Sequence, residues 1–182
     1  FPLLMAAWKI APALAAGNAV ILKPASWSPL VSLELARIID ETGLPKGLLS
    51  VLPGSGSVVG DLLVTHPSIG KVSFTGGTAV GRSLARKAAE KLMPVSLELG
   101  GKSPTIVFED ADIDQTIAGI LFGIFSSSGQ SCIAGSRLYV QRSIYKPFLE
   151  KLVARTKALR VGHPFESSTQ VAPLIHEDHR NS

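Results

Sequence analysis

Strands and helices alternate along this chain, and its short apolar strands end on glycine or proline, which points to an α/β fold built on a parallel sheet with covering helices. Residues 19–22 form an apolar run of strand length. Ser28 before Pro29 has the pattern of an N-cap with proline at the first helical position. Val31, Leu35, Ile38 and Ile39 then share one helix face until Gly43. A second strand, 49–52, ends at Pro53-Gly54-Ser55-Gly56, and a helix over about 57–64 comes next. A third strand, 71–74, turns at Gly76-Gly77 into a helix marked by Val80, Leu84 and Ala88. A fourth, 95–99, is closed by Gly100-Gly101. Sheets of this kind take ligands beyond the carboxyl ends of their strands.

The pattern changes at Gly100-Gly101, so the expected division is 1–99 and 100–182. The second part reads as a strand at 105–108 and a helix capped by Asp112 with Ile113, Ile117, Ile120, Leu121 and Ile124 on one stripe. Next come a polar stretch at 126–132, a strand at 138–140 and a helix capped by Ser143, then a poorly patterned tail from Gly162. The opening run, 1–22, is as long as a membrane span, but Lys9, Pro12 and Gly17-Asn18 break it into a buried helix and a strand, and no basic leader precedes it. No membrane association is expected, and a cytoplasmic location is. The chain does not begin with Met, and a fragment of a longer protein is expected. One cysteine excludes a disulfide scaffold and a four-thiolate zinc site. The net charge is +4, yet the 18 Lys and Arg are scattered singly, so nucleic acid is not an expected partner.

Cys132 lies among Gly129, Gln130 and Ser131, with Ile133-Ala134-Gly135 after it. These small polar flanks suit a thiol that a substrate must reach, although a lone cysteine is more often a buried apolar residue. None of His66, His163, His176 and His179 stands in a pattern that would pair with it, and the last two suit a solvated stretch better than a ligand pair. Glu98 sits between leucines inside a strand. By the twofold period it shares a face with Ser96 and points to the usual ligand crevice, where burial would raise its pKa toward that of a general base; a water-facing edge glutamate is the alternative. Gly54, Gly56 and Gly60 approach a dinucleotide fingerprint with the last spacing too long. Residues 76–83 also approximate a P-loop with Arg82 in the lysine position, and Phe108-Glu109-Asp110 could close a Walker B strand. Phosphoryl transfer is thus a second hypothesis, weakened because arginine does not imitate the compact lysine charge.

Together these motifs resemble the NAD(P)-dependent aldehyde dehydrogenase superfamily along nearly the whole chain. Leu97-Glu98-Leu99-Gly100-Gly101-Lys102-Ser103-Pro104 is similar to its glutamate signature, and Phe125 through Gly129-Gln130-Ser131-Cys132 to its cysteine signature. Phe1-Pro2 with Trp8-Lys9, Gly17-Asn18 with Leu22-Lys23-Pro24, and Phe74-Thr75-Gly76 fall in the family's order. The resemblance implies a Rossmann-variant cofactor domain, then the start of an α/β catalytic domain. It implies that Cys132 attacks an aldehyde to give a thiohemiacetal, that hydride passes to the nicotinamide, and that Glu98 activates the water that hydrolyses the resulting thioester. It also implies that the Cys132 backbone N–H holds the oxyanion, that Lys9 serves a proton relay and that Lys23 reaches the adenosine ribose. Gly54, Phe74, Thr75, Gly76, Gly77, Val80, Gly81 and Leu99 would line the rest of the NAD or NADP site, and the full-length protein would be a homo-oligomer.

Three departures from the family pattern stand out. Ser26 replaces a common glutamate, which removes a carboxylate that would repel a 2′-phosphate and so favours acceptance of NADP. Gly77 replaces a serine, at an expected cost of about 1 kcal/mol in one phosphate contact. His163 stands where an acidic residue is frequent. The family's oxyanion asparagine would precede Phe1, and a glutamate that holds the nicotinamide ribose would lie beyond Ser182, so the piece is expected to be inactive alone. A non-catalytic nucleotide-binding remnant is a third alternative.

Overall fold

A computed structural model describes residues 1–181. They fall into two units, divided between Leu99 and Gly100. The first contains α1 (Pro2–Ala15), β1 (Val20–Leu22), α2 (Leu30–Glu41), β2 (Leu49–Val51), α3 (Asp61–Thr65), β3 (Val72–Gly76), α4 (Thr78–Ala89) and β4 (Val95–Leu99). The second contains β5 (Pro104–Val107), α5 (Ile113–Phe125), β6 (Arg137–Val140), α6 (Tyr145–Lys157) and a last turn, α7 (Glu177–Asn181). The strands form three parallel pairs: β1 with β2, β3 with β4 and β5 with β6.

In the first unit, α1 ends as its sequence asks. Gly17 adopts φ +79°, the Gly17 N–H reaches Leu14 O and the Asn18 N–H reaches Ala13 O, which closes a Schellman cap. The helix buries Ala6 and Ile10, one turn apart, and packs on α2. Val20 to Leu22 pair with Leu49 to Val51, so both strands deliver their carboxyl ends to one rim. Beneath β3 and β4, Val64, Leu84, Ala88 and Met93 form a core against which Val72, Phe74 and Val95 pack. Alternation then puts Ser73, Thr75, Ser96 and Glu98 on the opposite face of that ladder. In the second unit the core is Val107, Ile117 and Phe148, ringed by Ile113, Ile120, Leu121, Leu138, Val140, Ile144 and Leu152.

Some local expectations need correction. Asp112 caps α5 as expected, with Oδ1 accepting from the Gln115 N–H at 3.0 Å. Ser28 makes no such bond: Pro29 already has helical angles, and the cap residue of α2 carries no side-chain hydrogen bond. Ser143 is not a cap either. It lies in a 3₁₀ turn before α6 and donates to Glu109 Oε2 at 2.6 Å. The helix expected over 57–64 is a π turn, Gly56–Gly60, running into the short α3. The tail is more ordered than its composition suggests. Val161 bridges Val171 in parallel, and Arg160 Nε donates to Ser168 O.

Gly54 tests the rim directly. It has φ +153°, and a Cβ there would come within 2.5 Å of Val59 Cγ2. Gly54→Ala is therefore expected to destabilise the protein by about 1–3 kcal/mol, from backbone strain and overpacking together. The urea denaturation midpoint measures it, and an unchanged midpoint contradicts the close approach.

Candidate active site

At the carboxyl end of β1 and β2, three expected site residues converge. Lys23 Nζ donates to the carbonyls of Pro24 and Gly54, the latter at 3.4 Å, and Ser26 Oγ donates to the same Gly54 carbonyl at 3.3 Å. Desolvation by the surrounding protein lowers the Lys23 pKa below the usual lysine range.

At the carboxyl end of β3 and β4, Gly77 adopts extended backbone and opens α4, a twelve-residue helix with no acidic side chain in its first turn. Its leading N–H groups are suited to an anion. Glycines shape this end. A Cβ on Gly76 would meet the Phe74 ring at 2.5 Å, and one on Gly81 would meet Leu99 Cδ2 at 2.7 Å, so backbone and side chains already approach as closely as they can. A Cβ on Gly77 would meet nothing within 4 Å, so there is open space beside its backbone. Val80 is exposed beside it. Thr75 Oγ1 is buried without a hydrogen-bond partner among the described residues. A buried hydroxyl left unpaired costs free energy unless a ligand or water satisfies it. The orphaned hydroxyl, the free helix start and the pared-down backbone suit a dinucleotide.

Glu98 lies next to Thr75 in the ladder register. The burial expected for it is not found: Glu98 is exposed, because it stands on the face away from the α3–α4 core. Lys9 reaches this face from α1, donating from Nζ to Ser73 Oγ at 3.0 Å. Desolvation lowers the Lys9 pKa below the ordinary lysine value, and the negative charge of Glu98 partly offsets that.

Cys132, in the second unit, is a free and exposed thiol. Helix α5 ends at Phe125, and the chain then takes three left-handed residues in a row: Ser127 (φ 52°), Ser128 (φ 56°) and Gly129 (φ 75°). Two of the three are not glycine, and such strain gathers at functional sites. The Ala134 N–H closes the next turn on Ser131 O at 3.2 Å, with Cys132 at its tip and its backbone N–H directed to no acceptor among the described residues. Gln130 braces the turn. Its Nε2 donates to Ser127 O at 3.2 Å, and its Oε1 accepts from the Ile175 N–H at 3.3 Å. Neither the bracing by Gln130 nor the Ser73 contact is visible in sequence. The only signal for Ser73 is its place in the alternation of β3.

The phosphoryl-transfer alternative finds no support. Glu109, its candidate acid, is bonded through its carboxylate to Ser143 and through its backbone N–H to Gln141 Oε1. His163 Nδ1 accepts from the Phe165 N–H, and nothing in the structure explains its replacing an acidic residue. Among the described residues no group of three or more His, Cys, Asp or Glu could hold a metal ion, and no helix is long and apolar enough to cross a membrane.

The chain is similar over its full length to curated aldehyde dehydrogenases. It is 47% identical over 181 residues to betaine aldehyde dehydrogenase 2 of Rhizobium meliloti (strain 1021), covering 100% of this chain and 37% of that protein. It is 48% identical over 182 residues to phenylacetaldehyde dehydrogenase of Pseudomonas fluorescens, covering 100% of this chain and 36% of that one. The crystal structure of betaine aldehyde dehydrogenase from Staphylococcus aureus in complex with NAD+ superposes with a TM-score of 0.97 at 42% identity, over 99% of this chain and 36% of that chain. This chain thus spans little more than a third of the length of such relatives. The Aldehyde dehydrogenase family pattern matches residues 1–182 from end to end, and the chain belongs to that family.

Proposed function

We propose that the protein oxidises an aldehyde to a carboxylic acid with a nicotinamide dinucleotide, the first unit holding the cofactor and the second supplying the nucleophile. The observation that carries this reading is the exposed Cys132 thiol at the tip of the turn that follows three left-handed residues, in a chain matched throughout by aldehyde dehydrogenases. Lys23, Ser26 and Gly54 would hold the adenosine end. Phe74, Thr75, Gly76, Gly77, Val80, Gly81 and Leu99 would hold the pyrophosphate and the nicotinamide half beyond it. When bound, the nicotinamide accepts the hydride.

Cys132 Sγ gives up its proton to water and bonds to the aldehyde carbon, and the carbonyl electron pair moves to oxygen, where the Cys132 backbone N–H stabilises the charge. Loss of hydride from that carbon leaves a thioester on Sγ. Glu98 takes a proton from water, the resulting hydroxide adds to the thioester carbon, and the C–S bond breaks to return the thiolate and release the acid. Lys9 exchanges protons with this carboxylate through the face they share. Iodoacetamide labelling of the intact protein tests the reading. Alkylation of Cys132 is expected to remove both aldehyde-dependent cofactor reduction and ester hydrolysis, and turnover that survives complete labelling contradicts it.

Acceptance of NADP is the consequence of Ser26. The hydroxyl and the Lys23 ammonium meet at Gly54 O with no carboxylate bonded to either, so a 2′-phosphate meets attraction there. Ser26→Glu is expected to lower kcat/KM for NADP about tenfold or more while leaving that for NAD within a few-fold. Initial rates with the two cofactors check it, and no NADP turnover by the unmodified protein contradicts it.

A further inference from the structure

The face of β3 and β4 that carries Glu98 has a member without an assigned role. Ser73 and Thr75 on β3 stand beside Ser96 and Glu98 on β4, and of these Ser73 is the one that Lys9 bonds directly, across 64 residues of sequence. Lys9 and Glu98 make no ion pair; they act on each other through space. A lysine ammonium on a flexible four-carbon stem close to an exposed carboxylate would ordinarily close onto it. Here a hydroxyl on a rigid strand takes one of its three donors instead.

From this geometry we propose that Ser73 is a positioning residue, holding the Lys9 ammonium within electrostatic range of Glu98 but off its oxygens, so that the carboxylate stays free to accept a proton from water. The catalytic part of this inference rests on the reaction proposed above; the positioning part does not. A direct ion pair would stabilise the carboxylate and make it a poorer base. Of the elements that meet here, α1 carries no titratable side chain but Lys9, β3 carries none, and β4 carries only Glu98; α2, which also packs on α1, carries Glu34, Arg37, Asp40 and Glu41. Of these charges Glu98 is the one that acts on Lys9, opposing the larger effect of burial.

The test uses the intact protein and two readouts. The first follows competitive amine labelling of Lys9 against pH, by peptide mass spectrometry, and needs no turnover. With Ser73→Ala the lysine closes onto Glu98, the ammonium is favoured, and the labelling midpoint rises, so that Lys9 reacts about three- to tenfold more slowly at a fixed pH below the midpoint. Ser73→Thr keeps the hydroxyl and the unmodified midpoint, and the rise vanishes in Ser73→Ala/Glu98→Gln. The second readout is steady-state kinetics. Ser73→Ala lowers kcat several-fold, leaves the KM values for aldehyde and cofactor unchanged, and moves the acid limb of the kcat profile to lower pH; Ser73→Thr restores all three. An unchanged or lowered Lys9 midpoint in Ser73→Ala overturns the positioning role, as does a loss of activity without movement of the acid limb. If the unmodified protein oxidises no aldehyde, the proposed reaction falls, while the labelling arm still decides whether Ser73 holds Lys9 off Glu98.

Discussion

Cys132→Ala is expected to reduce aldehyde oxidation by about 10⁴-fold or more and to abolish ester hydrolysis, while the protein folds normally. The magnitude comes from the chemistry. Without Sγ there is no covalent intermediate, and removing a nucleophile eliminates its whole share of the rate enhancement rather than weakening it. The fold is spared because the thiol is exposed on a turn and fills no core. That turn is closed by the Ala134 N–H on Ser131 O and follows the left-handed residues Ser127, Ser128 and Gly129 and the bracing Gln130, none of which bonds to the sulfur. Cofactor binding, monitored by quenching of tryptophan fluorescence, is expected to persist in the variant. A variant that binds cofactor and still oxidises aldehyde at more than about a hundredth of the normal rate contradicts the assignment of Cys132.

Glu98→Gln is expected to lower steady-state kcat about 10²- to 10³-fold and to leave the first turnover nearly intact. Glutamine keeps the shape and loses the base, so hydrolysis of the thioester slows while its formation does not. Pre-steady-state measurement should show a burst of about one reduced cofactor per site and then a slow phase. Because Glu98 is exposed, the substitution is expected to change stability by no more than about 0.5 kcal/mol. It also removes the one charge that raises the Lys9 pKa, so desolvation then acts unopposed and Lys9 titrates at lower pH than in the unmodified protein. Equal slowing of burst and steady state would place Glu98 before the thioester rather than after it.

Apolar periodicity and glycine placement make the elements legible, because each is a local signal. Residues 19–22 and 49–52 are apolar almost throughout, and within them Val20–Leu22 pairs in parallel with Leu49–Val51, while Asp112 caps α5 because its side chain reaches an N–H three residues on. Ser28 and Ser143 carry the same local pattern and do not cap. Proline moves the start of α2 by one residue, and Glu109, 34 residues earlier in the chain, draws the Ser143 hydroxyl away. The exposure of Glu98 is hidden for a related reason. Flanking leucines show which face of a strand meets the core, but not whether anything covers the other. The left-handed Ser127 and Ser128 are hidden because serine is not a residue that announces positive φ, as glycine or asparagine does. Motifs single out Lys9 and Glu98, but the bond from Lys9 to Ser73 is a long-range contact that no local pattern encodes.

The most direct measurement is peptide mass spectrometry of the intact Glu98→Gln protein, quenched with acid after mixing with aldehyde and NAD+. The predicted result is an acyl group, two hydrogens lighter than the bound aldehyde, on the peptide containing Cys132 at close to one per chain, released by hydroxylamine. Aldehyde oxidation with that peptide unmodified, or an acyl group carried elsewhere, would contradict covalent catalysis by Cys132.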